Sequence, residues 1–421
     1  MKKLAFCAIL AALACGDDDA TTDAAAEMAT TMETGTPETG TPETGTPETG
    51  TPETGTPETG TPEMGTPTGA VVRTHPCPGI NRTDAFFVDA DGTMWLGCGS
   101  GADGDGLFRS IDGGESWAIP ATNPANVLTS FRVLSVHRGF GDLVYVGGEG
   151  PSGTMVLSLD TTSEPFAAES VLTRGTRVGE SFLASPFVTT ASGAAFADSF
   201  NGSDALYREN DSVDDVAANW VNAGDWEDDG GSHQILDMVV LGERFVGCGS
   251  TIAEPPLVFL PSMSGPEPQP WNMTPINLVG DGLGSYTGEM WGVAASASRV
   301  VVVGVDQDND IGKIFVSGAD QYNADDYTQI DVDPLLPTRV SGADSTWARG
   351  VCMSGDRVVV VGEIQPLGAG DNTGFVLEST DGGVTFADMT PDGSPDTWSK
   401  CSFGDGRLRV AGAGAVALFG E

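Results

Sequence analysis

Short apolar runs closing on a small residue recur along most of the chain, and this repeat limits what the chain can fold into. The runs are Trp95-Leu96-Gly97, Tyr145-Val146-Gly147, Ala195-Phe196-Ala197, Phe245-Val246-Gly247, Val302-Val303-Gly304, Val360-Val361-Gly362 and Val410-Ala411-Gly412. Their closing residues lie 50, 50, 50, 57, 58 and 50 positions apart. Runs this short, rich in β-branched and aromatic residues, suit strands, and no segment sustains a helical period. Each run follows another short strand and a turn, as Val351–Arg357 leads into Val358–Val361. A third strand comes next, such as Gly106–Ser110 or Gly374–Glu378, and then a more ragged fourth. Four strands every fifty or so residues predict propeller blades, so the fold class is all-β and seven copies predict seven four-stranded blades.

The last blade is expected to be one strand short, because the sequence ends soon after Val416–Phe419. Ala70–Arg73, or a little beyond, is the expected fourth strand, which would close the ring and hide exposed sheet edges.

The residues before the repeat read differently. Lys2 and Lys3 precede an apolar run, Leu4 to Ala14, which is the layout of a secretory signal peptide over residues 1–14. The run ends in Ala12-Leu13-Ala14-Cys15, which resembles a lipobox and makes Cys15 the expected lipidation site. Gly16 after the cysteine implies release to the outer membrane, with the protein facing the periplasm or the cell surface. Residues 15–69 are read as a disordered spacer. Proline recurs every fifth residue from Pro37 to Pro67, which forbids helix, and apolar side chains are nearly absent. Gly16–Gly69 carries twelve carboxylates and no Lys or Arg, so self-repulsion extends it further. Residues 70–421 are then the propeller.

Charge bounds the partners. The whole chain has 19 Lys+Arg against 60 Asp+Glu. Setting aside Lys2, Lys3 and the spacer's carboxylates leaves 17 against 48 in residues 70–421, so nucleic acid and anionic lipid would be repelled. A lipid anchor is the one membrane attachment expected, and the chain is expected to be monomeric. Cations suit such a surface. Asp306-Gln307-Asp308-Asn309-Asp310-Ile311-Gly312 sets oxygens at alternate positions, and Asp306, Asp308 and Asp310 are candidate Ca2+ ligands. Its glycine falls one place late for an EF-hand, and Ser317 stands where a bidentate Glu would. No other cofactor is expected. Of the five cysteines in this part, Cys77, Cys98, Cys248, Cys352 and Cys401, at least one must stay unpaired internally. A bridge Cys352–Cys401, or Cys77 with Cys98 or Cys401, is open at this level.

Two turns carry a resemblance. Ser110-Ile111-Asp112-Gly113-Gly114-Glu115-Ser116-Trp117 and Ser379-Thr380-Asp381-Gly382-Gly383-Val384-Thr385-Phe386 share Ser-x-Asp-x-Gly-x-Ser/Thr-aromatic. This resembles the Asp-box (BNR) repeat of the sialidase-like propellers. The resemblance implies turns between third and fourth strands, on the face away from the ligand site. It gives Ser110, Asp112, Gly114, Trp117, Ser379, Asp381, Gly383 and Phe386 structural roles. Sialidases also carry Arg-Ile-Pro before the first blade, where this chain has Asn81-Arg82-Thr83. None of its five tyrosines falls at a recognisable nucleophile position. With three histidines, 75, 137 and 233, neither a Ser-His-Asp triad nor a His-rich zinc site is expected.

Trp291, Trp347 and Trp398 precede the inner strands of the last three blades at what reads as one register. Arg349 and Lys400 follow two residues after their tryptophans. Aromatic faces beside cations suit a sugar or an acidic peptide, so these five residues are the candidate ligand site. The sequence reading is a surface-anchored, non-catalytic module binding a glycan or a protein. The alternative is a carbohydrate-active hydrolase of the sialidase-like kind with unrecognised carboxylates.

Overall fold

A computed structural model describes residues 69–420 except 78–82, 84, 99–105, 130, 140, 151–152, 174–186, 190–194, 198–204, 209–220, 225–232, 252–255, 262–272, 280–286, 343 and 369. The expected signal peptide, Cys15 and, but for Gly69, the expected spacer lie outside the described residues.

The chain opens with β1 (Val71–Thr74) and then runs through antiparallel sheets in order. The first sheet is β2 (Ala85–Val88), β3 (Met94–Cys98) and β4 (Gly106–Ser110). After β5 (Thr122–Asn123) come β6 (Arg132–Arg138), β7 (Leu143–Gly150), β8 (Gly153–Asp160) and β9 (Phe166–Thr173). The next is β10 (Phe187–Thr189), β11 (Ala195–Ala197), β12 (Ala205–Arg208) and β13 (Val221–Gly224). Then follow β14 (His233–Leu241), β15 (Arg244–Thr251), β16 (Pro256–Pro261) and β17 (Met273–Asn277). The next comprises β18 (Gly288–Ser296), β19 (Arg299–Asp306), β20 (Ile311–Ser317) and β21 (Tyr327–Asp331). After it come β22 (Ser345–Ser354), β23 (Arg357–Gln365), β24 (Thr373–Ser379) and β25 (Ala387–Asp388). The last is β26 (Trp398–Gly404), β27 (Arg407–Gly412) and β28 (Ala415–Leu418), completed by β1.

Ring closure is as expected in kind. Val71, Val72, Arg73 and Thr74 pair antiparallel with Leu418, Ala417, Val416 and Ala415, so the first strand finishes the last blade. Buried His75 and Thr83 both hydrogen-bond the Gly412 carbonyl, at 2.8 and 3.0 Å.

The expectation of seven four-stranded blades needs correcting. Among the described residues six sheets have four strands or more, and the β2–β4 sheet has three. Its missing strand has gone to its neighbour: β5 pairs in parallel with β9, and only an isolated bridge, Arg109 with Ala118, touches β4. Pro120 and Pro124 lack the N–H donors that a ladder against β4 would need.

The core lies between neighbouring sheets. Val301, Val303 and Ile314 of one sheet pack on Val358, Val360 and Phe375 of the next. Val359, Val361 and Val376 then face Trp398, Leu408 and Val410, and Val416 and Leu418 face Phe86 and Leu96. Central strands covered on both faces must be apolar on both, which is why β19 and β23 are runs of valine.

Several inner strands share a device that explains the closing glycines Gly304, Gly362 and Gly412, and Gly148 beside the closing Gly147. β6, β18, β22 and β26 each carry a bulge, with Leu134, Trp291, Arg349 and Ser399 as the extra residue. Gly148, Gly304, Gly362 and Gly412 on the second strands sit beside these bulges. A Cβ there would lie 1.9, 1.9, 2.1 and 1.9 Å from the carbonyl oxygens of Arg132, Glu289, Trp347 and Thr397. Only glycine lets the bulged strand approach so closely.

Candidate functional site

Antiparallel pairing gives each blade two unlike ends. In the β22–β25 blade, the start of β22 pairs with the end of β23 and lies beside the loop between Gln365 and Thr373. The β22–β23 turn and the Ser379–Phe386 turn lie at the other end.

The first end holds the candidate ligand site. Trp291 of β18 and Trp347 of β22 come together across neighbouring blades, stacked with centroids 5.0 Å apart and planes 28° off parallel. Arg349 sits over both, its guanidinium carbon 4.1 Å from the Trp291 centroid and 4.5 Å from that of Trp347. Its Nε donates to Glu363 Oε1 at 2.9 Å, and its Nη2 donates to the same oxygen. The two side chains of this pair are 12 and 7% exposed. Gln365 Nε2 donates to Glu363 Oε1 at 3.0 Å, and Asn372 Nδ2 reaches Oε2 at 3.5 Å. Trp291 Nε1 donates to Glu289 Oε2 at 2.9 Å, whereas buried Trp347 Nε1 has no protein partner among the described residues. Both tryptophans keep part of their surface exposed.

The other predicted members do not join this cluster. Trp398 is fully buried, part of the apolar layer against Val359 and Val361, with Nε1 donating to Ser394 Oγ at 3.1 Å. Lys400 is half-buried on β26, opposite Ala411. The bulges explain the difference. Relative to the closing glycines, Trp398 matches Met290 and Ala348, Trp291 is itself a bulge residue like Arg349, and Trp347 matches Thr397 and Glu289. The three tryptophans therefore stand at three registers, not one. On β6 the place equivalent to Trp347 is held by Arg132.

Sequence reasoning missed Glu289, Glu363, Gln365 and Asn372. One signal was available: Glu363 directly follows Gly362 at the end of an otherwise apolar run, and a carboxylate so buried needs a cation.

At the opposite end the two Ser-x-Asp turns are built alike. Asp112 Oδ1 accepts from Ser110 Oγ at 2.8 Å and from Ser116 N at 2.9 Å, and Gly114 N donates to Ser110 Oγ at 2.8 Å. In the second turn Asp381 Oδ1 accepts from Ser379 Oγ at 2.7 Å and Thr385 N at 2.9 Å, and Gly383 N donates to Ser379 Oγ at 2.7 Å. The hydroxyl and N–H of Ser116, then the Ser110 hydroxyl, pull the Asp112 carboxyl down to about 2. The Thr385 hydroxyl and N–H do the same for Asp381, holding it well below the carboxylate range. A carboxyl so strongly held as the anion has no proton to give near neutrality. Trp117 and Phe386 pack against the adjoining apolar layers. Each turn also bonds a neighbouring blade, with Arg73 donating to the Gly113 carbonyl and Arg299 to that of Gly382.

The acidic loop closes on itself. Asp306 is buried; its Oδ1 accepts from Asp308 N and Asn309 N, and Lys313 Nζ stands 3.5 Å from its Oδ2. Asp308 accepts from Thr287 N and Oγ1, both at 2.9 Å, and Asp310 holds the turn at φ 57°. A cation bound here would compete with Lys313 for Asp306. Among the described residues no three His, Cys, Asp or Glu side chains group as metal ligands.

Two disulfides settle what the cysteine count left open. Cys77–Cys98 ties the segment after β1 to β3, and Cys352–Cys401 joins the inner strands β22 and β26, with Cα atoms 5.2 and 5.7 Å apart. Cys248 is free and buried.

Solved structures match this arrangement of sheets. The fold is a β-propeller. No protein-family profile matches the chain, and no curated protein matches it. The structure described as YCF48 bound to D1 peptide is similar at TM-score 0.51 and 15% identity, covering 83% of this chain and 97% of its own. YCF48 from Cyanidioschyzon merolae is similar at TM-score 0.52 and 16% identity, covering 83 and 98%. A catalytically inactive virginiamycin B lyase from Staphylococcus aureus, with quinupristin, is similar at TM-score 0.51 and 9% identity, again covering 83 and 98%. At such identities the likeness is one of fold, and propellers host both binding proteins and enzymes.

Proposed function

We propose that this chain is an outer-membrane lipoprotein, held through Cys15 and the acidic spacer, whose propeller is a non-catalytic module binding a glycan or a protein. Its Ser-x-Asp turns ally the propeller with the Asp-box propellers. The observation that carries the binding reading is the partly exposed Trp291–Trp347 pair, braced by Arg349 and Glu363 at the blade end opposite the tight turns. Stacked indoles held by buried polar groups form a rigid recognition surface, whereas proton transfer needs a group free to exchange its proton. That a propeller of this fold has been seen with a bound peptide supports the binding class.

One experiment tests anchor and site together. Full-length chain expressed in a Gram-negative host should pellet with membranes through a high-salt wash, and Cys15→Ser should move it to the soluble fraction. Immobilised chain should capture an envelope component that Trp347→Ala no longer captures. Capture undiminished in that variant would remove the site, and a Cys15→Ser protein that still pellets would remove the anchor.

A further inference from the structure

The charge balance around the tryptophans decides what kind of ligand they can take. A free cation over either indole would lie close to the Arg349 guanidinium, which stands 4.1 and 4.5 Å from the two centroids, and like charges repel. An anion would need an uncommitted cation. Arg349 spends its charge on Glu363, both side chains are largely buried, and Glu289 stands beside Trp291. An approaching carboxylate would meet two acidic side chains at the site, on a domain whose residues 70–421 carry 17 Lys+Arg against 48 Asp+Glu.

What remains on offer is uncharged. The indoles present partly exposed apolar surface, and two partly exposed side-chain amides lie near them, Gln365 at the end of β23 and Asn372 in the loop that follows. Each spends an N–H on Glu363, and their amide oxygens accept no hydrogen bond among the described residues. A sugar ring matches both halves of this set. Its C–H face lies against an indole, and its hydroxyls, each donor and acceptor, match amides that also donate and accept. A charged headgroup matches neither half.

We propose that the Trp291–Trp347 site takes a neutral pyranoside, not an acidic glycan and not a cationic ligand. This rests on the binding-module reading above and narrows it. Electrostatics then contributes little to association, so affinity is insensitive to salt.

The test uses purified full-length chain on a glycan microarray carrying neutral hexose oligosaccharides beside their sialylated and uronate-bearing counterparts. Binding should be confined to the neutral set and change less than about twofold between roughly 50 and 500 mM NaCl. Trp291→Ala should lower affinity about tenfold or more, and Trp291→Phe, which keeps an aromatic face, should recover most of it. Stronger binding to the acidic glycans, or steep weakening with salt, would overturn the neutral-ligand proposal and leave a binding module standing. So would a chain that captures a protein through this face and holds no sugar. If Trp291→Ala altered the capture of no ligand at all, both readings would fall.

Discussion

Trp398→Ala asks whether a tryptophan that looked like a ligand contact is core. The side chain is fully buried between the last two blades, among Val359, Val361, Val376, Leu408 and Val410. A Cβ on Gly374 would approach its Cδ1 to 2.7 Å, so no slack surrounds it. Truncating a buried tryptophan costs about 3–5 kcal/mol, and stripping Ser394 Oγ of its indole donor adds about 1 kcal/mol. With an unfolding entropy of ~2.1 cal/mol/K per residue over roughly 350 residues, a loss of ~4–6 kcal/mol lowers Tm by about 5–8 °C if the domain melts as one unit. Differential scanning calorimetry on the full-length variant measures this, and Trp398→Phe should recover part of the loss. A Tm within 1 °C of the parent, together with loss of ligand, would refute the assignment to the core and return Trp398 to the recognition surface.

Two further outcomes follow from other parts of the molecule. Gly362→Ala would drive a Cβ to 2.1 Å from the Trp347 carbonyl and 2.5 Å from Phe375 Cζ, and should cost about 1–3 kcal/mol or more in denaturant unfolding. Gly342→Ala, where no atom lies within 4 Å, should stay within about 0.5 kcal/mol; equal effects would discredit the close-approach explanation. His137 stacks on Tyr145, accepts from Thr189 N at Nε2, and is pushed by burial down to about 4 from an ordinary 6.5. The unfolded chain therefore takes the proton first. Stability from this group is full above about pH 6.5 and falls, by about 1–3 kcal/mol, as pH drops toward 4. His137→Gln should flatten that part of the acid-stability curve, and an unchanged slope would show that His137 is not its source.

Much of the fold was legible along the chain because its determinants are local. The fifty-residue repeat marks blades, since a strand covered on both sides must be apolar and must end where the chain turns. The Ser-x-Asp turns were readable for the same reason: Asp112 and Asp381 bond only residues two to four positions away. The strand donated by Val71–Thr74 followed from a blade one strand short.

The site was legible only in part. Trp291, Trp347 and Arg349 do meet, but Trp398 does not join them, because each inner-strand bulge inserts a residue and changes which side chain faces which neighbour. Nothing in the local sequence announces a bulge apart from the glycine that accommodates it.

Sequence alone thus determined the all-β repeat, the order of strands, the turn chemistry and the excess of negative charge, all of which depend on composition and short-range spacing. Tertiary structure decided which blade stayed short, which cysteines paired, and that Arg349 is spent on Glu363 and on two indoles. Those outcomes join residues from different strands and blades. They follow from register and inter-blade packing, where a shift of one residue exchanges a buried side chain for an exposed one.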